Sequence, residues 1–333
     1  MRIAKLSQRL SLVWGFELMD RPSPEQFDHE PVLMRQVVDS IASENPKLIL
    51  DCTLGGAGHS AALLEAIPES SLIGLDRDES AIGVARARLA PFGERVRIVH
   101  SSFEEATKVL KELGVSGVDA ILADLGVSSH QIDTAERGFS FRMDGPLDMR
   151  MDTSRGQSAA DILAEIPEKE LARVIKVYGE ERYSGRVARV IKEANPSTTA
   201  ELADVIRSVV RKGKDKIDPA TRTFQAIRML VNGELDQLET LLNDIPDLLN
   251  DGGIAALISF HSLEDRAVKH AFRKAAKGEE TPPDIPVYVQ HVAPTMELVT
   301  RKPLVADDDE IRSNSRSRSA KLRVARRLSR GDS

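Results

Sequence analysis

The stretch Leu48-Ile-Leu-Asp-Cys-Thr-Leu-Gly-Gly-Ala-Gly-His59 constrains this chain more than any other. Three apolar residues followed by Asp51 read as a buried strand that stops abruptly. Gly55, Gly56 and Gly58 then allow a tight turn and let a ligand approach the main chain closely. Ser60, Ala61 and Ala62, followed by Leu63, Leu64 and Ile67, suit a helix packed on a sheet. A second strand, 71–75, runs into Asp76. The unit is β-α-β with a glycine-rich first turn and an acid closing its second strand. In nucleotide-binding α/β folds an acid there accepts hydrogen bonds from ribose hydroxyls.

The glycines alone leave the ligand open. Gly56-Ala57-Gly58-His59-Ser60-Ala61 satisfies G-x-G-x-x-A, so a dinucleotide fits. Two features favour S-adenosyl-L-methionine. An amphipathic segment (Val32, Leu33, Val37, Val38, Ile41) precedes the glycine strand, which is therefore not the first element of its domain. The order of acid, spacer and glycine-rich loop is also closer to a methyltransferase turn than to a pyrophosphate cradle.

From His29 onward the pattern alternates, with strands expected at 48–51, 71–75, 96–99 and 119–124 and helices at 31–43, 59–67, 78–90 and 103–113. This is the first half of a doubly wound parallel sheet. Phe103 follows the third strand, where its ring either covers a bound adenine or fills the core. The fourth strand ends in Asp124-Leu-Gly-Val-Ser-Ser-His-Gln131. Ligands of open α/β sheets bind at such carboxyl ends, which makes Asp124 the leading contact for both a cofactor and an acceptor amine. Residues 138–152 have no clean period and carry two glycines, a proline and paired Asp and Arg residues, the composition of a functional loop. Residues 158–213 read as helices, with Thr198 and Glu201 forming a capping box, and are taken as an all-helical insertion. One long helix is expected from Pro219 through Ile245, then a strand at 254–260 leading into His261-Ser-Leu-Glu-Asp-Arg266. Ser259, His261 and Glu264 do not form a hydrolase triad, because no nucleophile elbow accompanies them. A closing hairpin is placed at 287–289 and 321–325, joined by a mobile stretch.

The net charge of −6 argues against indiscriminate polyanion binding, but the charge is unevenly placed. Residues 169–216 hold 12 Lys and Arg against 7 acids, and 312–330 hold 8 with no acid. Local basic surfaces of this kind are the footprint of nucleic acid. The single cysteine, Cys52, reads as a core residue in a reducing compartment. Scattered histidines give no metal-ligand spacing. No apolar run is long enough for a membrane span, so a cytoplasmic location without membrane contact is expected. Residues 1–28 are treated as an extension outside the folded core.

Taken together, the motifs resemble the bacterial small-subunit (16S) ribosomal RNA cytosine-N4 methyltransferases of the MraW/RsmH type. They are His29-Glu-Pro-Val-Leu33, Leu50 to Ser60, Asp76-Arg-Asp78, Asp124 to Ser129, Glu136-Arg-Gly-Phe-Ser140 and Gly145 to Asp152. Further along come Tyr178-Gly-Glu-Glu181, Thr221 to Ala226 and Ser259 to Arg266. The resemblance runs in order over 29–330. It implies an α/β, Rossmann-like S-adenosylmethionine-dependent methyltransferase sheet at 29–137 and 218–333, with an inserted helical substrate-recognition domain at 138–217. It implies S-adenosyl-L-methionine as methyl donor and a cytidine of the decoding region of small-subunit ribosomal RNA as acceptor, with a monomer or homodimer acting on it.

Carried over by position, the cofactor would meet Ala57, Gly58, His59, Asp76, Phe103, Asp124 and Gln131. From the chemistry of the residues, Asp124 or a neighbouring carbonyl is expected to accept a hydrogen bond from the amine and Asp124, His261 or water to take its proton, with Asp148 and Arg150 at the acceptor pocket and Arg186 and Arg189 on the RNA phosphates. Three departures stand out. Ala57 occupies a position that is often glycine, residues 1–28 lie outside the common core, and Asn314-Ser-Arg-Ser-Arg-Ser319 lacks the family's proline. Two rival readings remain open from the residues alone, a nicotinamide-dependent dehydrogenase and a non-catalytic RNA-binding protein.

Overall fold

The computed structural model describes residues 31–212, 217–278 and 293–329. The N-terminal extension and the expected strand at 287–289 lie outside them. The chain runs through α1 (Met34–Ala42), β1 (Leu48–Asp51), α2 (Gly58–Ala66), β2 (Ser71–Asp76), α3 (Glu79–Leu89), β3 (Val96–His100), α4 (Ala106–Glu112) and β4 (Val118–Asp124). It then leaves the sheet through α5 (Ser129–Asp133), α6 (Ala159–Glu165), α7 (Glu168–Tyr178), α8 (Ser184–Ala194), α9 (Thr199–Val209), α10 (Thr221–Asn232) and α11 (Glu234–Leu248). It returns as β5 (Leu249–Ser259), α12 (Ser262–Lys277), β6 (Met296–Leu298), α13 (Asp308–Ser313) and β7 (Lys321–Arg327).

The strands form a sheet of order β3-β2-β1-β4-β5-β7-β6. β1 to β5 are parallel, and β7 runs antiparallel between β5 and β6. The chain winds outward from β1 through β2 to β3, then starts again on the other side of β1 at β4. The order therefore reverses between β1 and β4, and the crevice at their carboxyl ends is where such a sheet takes a ligand.

Side chains alternate across each strand, and here both faces are apolar. Leu50, Ile121, Ala123, Ala255 and Leu257 face a cluster with Leu110, Leu241, Ile245 and Phe272. Ile49, Ala120, Leu122, Ile254 and Ile258 face another with Val37, Ile41, Leu63, Leu64 and Leu89. Continuous Ile, Leu and Ala runs in the central strands are the sequence consequence of this two-sided burial. A third cluster stands apart from the sheet. Leu163, Leu171, Ile175, Val187, Ile191, Leu202 and Ile206 of α6 to α9 pack with Phe224 and Ile227 of α10.

Three sequence expectations change. The long helix from Pro219 is two helices, parted at Gly233, which adopts φ 60° and caps α10. Glycine is the residue that turns a helix end this way without strain. The strand paired with β7 is Met296–Leu298. The stretch before β7, expected to be mobile, forms α13 and a 3-10 turn at Ser315–Ser319. It is tied to the rest of the fold where the Leu33 main-chain N–H donates to Glu310 Oε1 at 2.7 Å. The Thr198 capping box forms as expected. Among the described residues no helix is long and apolar enough to cross a membrane.

The irregular segment 138–152 is pinned at several points. Leu147 N–H donates to the Ser197 carbonyl, Gly145 N–H to Thr199 Oγ1, and Met149 N–H to the Arg137 carbonyl. Asn232 Oδ1 accepts from Met151 N–H, and its Nδ2 donates to the Met149 carbonyl. Gly145 sits so tightly that an added Cβ would lie 2.0 Å from the Ala135 carbonyl oxygen and 2.7 Å from its carbon. That neighbour is main chain and cannot swing away. Gly145→Ala is expected to destabilise the protein by about 2–3 kcal/mol through overpacking, read as a fall in the midpoint of denaturant unfolding.

Candidate active site

Three carboxylates mark the carboxyl ends of β1, β2 and β4. Asp51 is level with Gly74 of β2 and Leu122 of β4. Asp76 and Asp124 therefore stand two residues further along, on either side of Thr53 and roughly 10 Å apart by two strand spacings. Thr53 joins the two sides of the crevice, its Oγ1 accepting from Asp124 N–H at 2.6 Å.

Asp51 is fully buried. Its carboxylate accepts from Ser60 Oγ at 2.6 Å and from Thr53 N–H at 3.0 Å. Burial outweighs these bonds and pushes its pKa up to about 6. Asp51 thus ties the strand end to the first turn of α2. Burial likewise raises the pKa of Asp76, opposed by N–H donation from Asp78 at 2.8 Å and from Gly55 at 2.7 Å. Each Asp76 oxygen accepts one main-chain N–H and keeps acceptor capacity for a hydroxyl. Cys52 is buried, and burial raises its thiol pKa, so it is a packing residue and a poor nucleophile.

The glycine turn owes its path to close contacts. A Cβ on Gly58 would lie 2.3 Å from Pro31 Cγ, and one on Gly74 would lie 2.8 Å from both Leu54 methyls. Gly74, inside β2, is thus part of the turn's architecture, although its position in the sequence gives no sign of it. Ala57 caps α2 in the left-handed region at φ 59° and is nearly completely buried. A non-glycine residue there carries backbone strain. Two residues on, His59 is buried with Nε2 3.7 Å from Asp124 Oδ2. Both His59 ring nitrogens and Asp124 Oδ1 are buried without a hydrogen-bond partner among the described residues.

These groups open on one cavity of about 680 Å³. Gly55, Gly58, His59, Asp76, Phe103, Asp124 and Gln131 all line it, whereas Ala57 shapes the turn from behind. Gln131 is committed within the protein. Its Oε1 accepts from Ser128 N–H and its Nε2 donates to Asp78 Oδ2 at 2.9 Å. Asp78 also receives Arg137 Nη1 at 2.7 Å, while Arg137 Nη2 donates to the carbonyls of Arg150 and Met151. Burial would raise the pKa of Asp78, but Ser80, Arg137 and Gln131 hold it below the usual carboxylate range. Arg137 thereby fastens the irregular segment to the start of α3. Its motif was visible in the sequence, but its role depends on a partner 59 residues away.

The other predicted residues fall outside the cavity lining. Asp148 and Arg150 grip one another, with Arg150 Nε and Nη2 donating to the two Asp148 oxygens at 2.9 and 2.8 Å. Arg186 and Arg189 are exposed on α8. Arg186 lies 6.0 Å over the Tyr183 ring, and Arg189 is 3.8 Å from Glu168. His261 caps α12 with its Nε2 2.8 Å from Glu264 Oε1. Glu264 does line the cavity. Its burial favours the neutral form, but His261 and Arg228 depress its pKa. Arg228, also on the wall, is paired bidentately with Glu234 at 2.8 and 2.7 Å.

Comparison with known proteins gives the family. Residues 26–328 match the MraW methylase family. Ribosomal RNA small subunit methyltransferase H of Geobacter sp. (strain M21) is 51% identical over 311 residues, 91% of this chain and 100% of that one. The protein of that name from Geobacter sulfurreducens is 49% identical, covering 91% and 99%. That from Symbiobacterium thermophilum is 46% identical, covering 92% and 98%.

The raised pKa of Asp51 has a consequence for stability. The folded form holds the proton more tightly than the unfolded chain, so stability is fully present below about pH 4 and falls as pH rises toward 6. Asp51→Asn removes this dependence. The unfolding free energy of the wild type relative to Asp51→Asn is expected to drop by about 2–3 kcal/mol between pH 4 and 7, measured by urea titration at each pH.

Proposed function

We propose that this chain, which belongs to the MraW methylase family, transfers a methyl group from S-adenosyl-L-methionine to the N4 amine of a cytidine in the decoding region of small-subunit ribosomal RNA. The observation that carries the reading is the approach of Asp124 to His59 at the β1/β4 switch, where both carry buried polar atoms without a partner among the described residues. A dehydrogenase finds no support in the relatives, which are named as methyltransferases.

The cavity suits the donor. Gly58 admits close approach, Asp76 retains acceptor capacity for ribose hydroxyls, and Phe103 offers a face for the adenine. His59 and Asp124 supply the polar atoms nearest the junction with the acceptor side. Gln131 acts indirectly by holding Asp78. Bound S-adenosylmethionine supplies a sulfonium methyl that needs no further activation by a metal.

Cytosine N4 is a weak nucleophile because its lone pair is delocalised into the ring. Asp124 accepts a hydrogen bond from the amine, orients it and stabilises the positive charge that grows there. It then takes the proton that the product must lose, with His59 as the adjoining relay. His261, engaged with Glu264 behind the wall, has a positioning role. Asp148 and Arg150 stiffen the loop that ends in Met151 at the cavity. The acceptor base leaves its stack to reach this depth.

The helical insert at 138–217 serves as the RNA-recognition unit. Its separate hydrophobic cluster supports that division and carries it into the first turns of α10. Arg186 and Arg189 provide its phosphate contacts, and the partner is ribosomal RNA within an assembled or nearly assembled subunit, in the cytoplasm.

Labelled S-adenosylmethionine incubated with small ribosomal subunits is expected to place its label in N4-methylcytidine. Label in another nucleoside would overturn the acceptor assignment. Asp124→Ala is expected to lower kcat at least 100-fold, and near-normal turnover would remove Asp124 from the mechanism.

A further inference from the structure

The cavity has two halves. Gly55, His59, Asp76 and Phe103 come from the β1 to β3 side, while Phe260, Arg316 and Ser319 come from the ends of β5 and β7 beyond Asp124. The second half faces the acceptor if the first holds the methyl donor.

Arg316 sits in the 3-10 turn Ser315–Ser319, which is held by two local side-chain hydrogen bonds and leads straight into β7. Asn314 Oδ1 accepts from Arg316 N–H, and Ser317 Oγ donates to the Asn314 carbonyl. One arm of the guanidinium is fixed, with Nη2 donating to Asp133 Oδ2 at 2.9 Å, just past the end of the cavity-lining stretch of α5. The other arm is not. Nη1 is buried and has no hydrogen-bond partner among the described residues. A buried cationic N–H without an acceptor is costly, and an anionic ligand would remove that cost. Arg142 lines the same cavity. It is exposed, and its guanidinium forms no ion pair with any described residue.

We infer that Arg316, oriented by Asp133, and Arg142 bind the backbone phosphate of the nucleotide whose base enters the cavity. This rests on the proposed RNA acceptor. A nucleotide that inserts its base leaves its phosphate at the rim, and a planar guanidinium with one arm already fixed is preorganised for a phosphate oxygen. Asp133 is a positioning residue in this arrangement. The sequence motif containing Arg316 is separated from Asp133 by 183 residues, so only the fold brings the pair together.

The test is methyl transfer to small ribosomal subunits across salt concentrations from about 50 to 200 mM, with S-adenosylmethionine binding measured separately by calorimetry. Arg316→Gln is expected to lower kcat/KM about tenfold or more. It should also make the slope of log kcat/KM against log salt shallower by about 0.7, the value of one lost phosphate contact on a single strand. Arg316→Lys should retain the wild-type slope with reduced kcat/KM, and cofactor affinity should stay within about twofold in both. A folded, cofactor-binding Arg316→Gln enzyme with the wild-type slope overturns the inference, as does a loss of activity without a change in slope, which would assign the arm to a neutral base carbonyl. If Arg316→Gln also loses cofactor binding, Arg142→Gln decides by the same slope. Failure of the wild type to methylate subunits would instead overturn the functional reading, and the two results are distinguishable.

Discussion

The site depends on how the main chain leaves the sheet after β1. Thr53 occupies the level at which β2 and β4 still carry Asp76 and Asp124, and its hydroxyl takes the Asp124 N–H at 2.6 Å. That one bond closes the sheet across its own point of reversal. With it in place, the glycine turn can run between two carboxylates without leaving an unpaired N–H at the start of β4's last peptide. Gly74 clears room for Leu54, Gly58 passes against Pro31, and α2 begins with its first turn over the crevice. The cavity is the space left when these contacts are satisfied.

Four acids in so small a region would repel one another and resist burial. The structure meets three of them with different sets of donors. Asp51 takes a hydroxyl and a main-chain N–H, and Asp76 takes two main-chain N–H groups. Asp78 takes a guanidinium and an amide. Asp124 differs, for one of its carboxylate oxygens has no partner among the described residues and the other faces His59 at 3.7 Å. The acids that shape the loop are satisfied by the protein, whereas Asp124 keeps acceptor capacity facing the cavity. This is the division expected where hydrogen bonds must form during a reaction rather than before it.

The same division separates what was readable from what was not. Strand ends at Asp51, Asp76 and Asp124 could be placed because buried parallel strands are short apolar runs whose polar stop is local. His59 and Gly58 followed from the turn. Asp148 and Arg150 were misplaced relative to the cavity because their strongest interaction is with each other, two residues apart, while Met151 carries the loop to the wall. His261 has the residue type of a base, yet its ring is used to cap α12. A side chain's chemistry is written in the sequence, but whether a neighbour has already consumed it is not. Arg137 and Arg316 went unassigned for the complementary reason. Their partners, Asp78 and Asp133, are 59 and 183 residues distant.

The sequence by itself determined the β-α-β start, the apolar strands, the helical character of the insert and the family to which the motifs belong. All of these rest on interactions spanning a few residues, where periodicity, glycine tolerance and capping act directly. The tertiary structure decided that Gly233 divides a long helix, that Met296–Leu298 is the strand beside β7, and that the segment before β7 folds back to line the cavity. It also decided which polar groups remain available to a ligand. Those outcomes depend on contacts between segments far apart in the chain, and no local pattern encodes the identity of a distant partner.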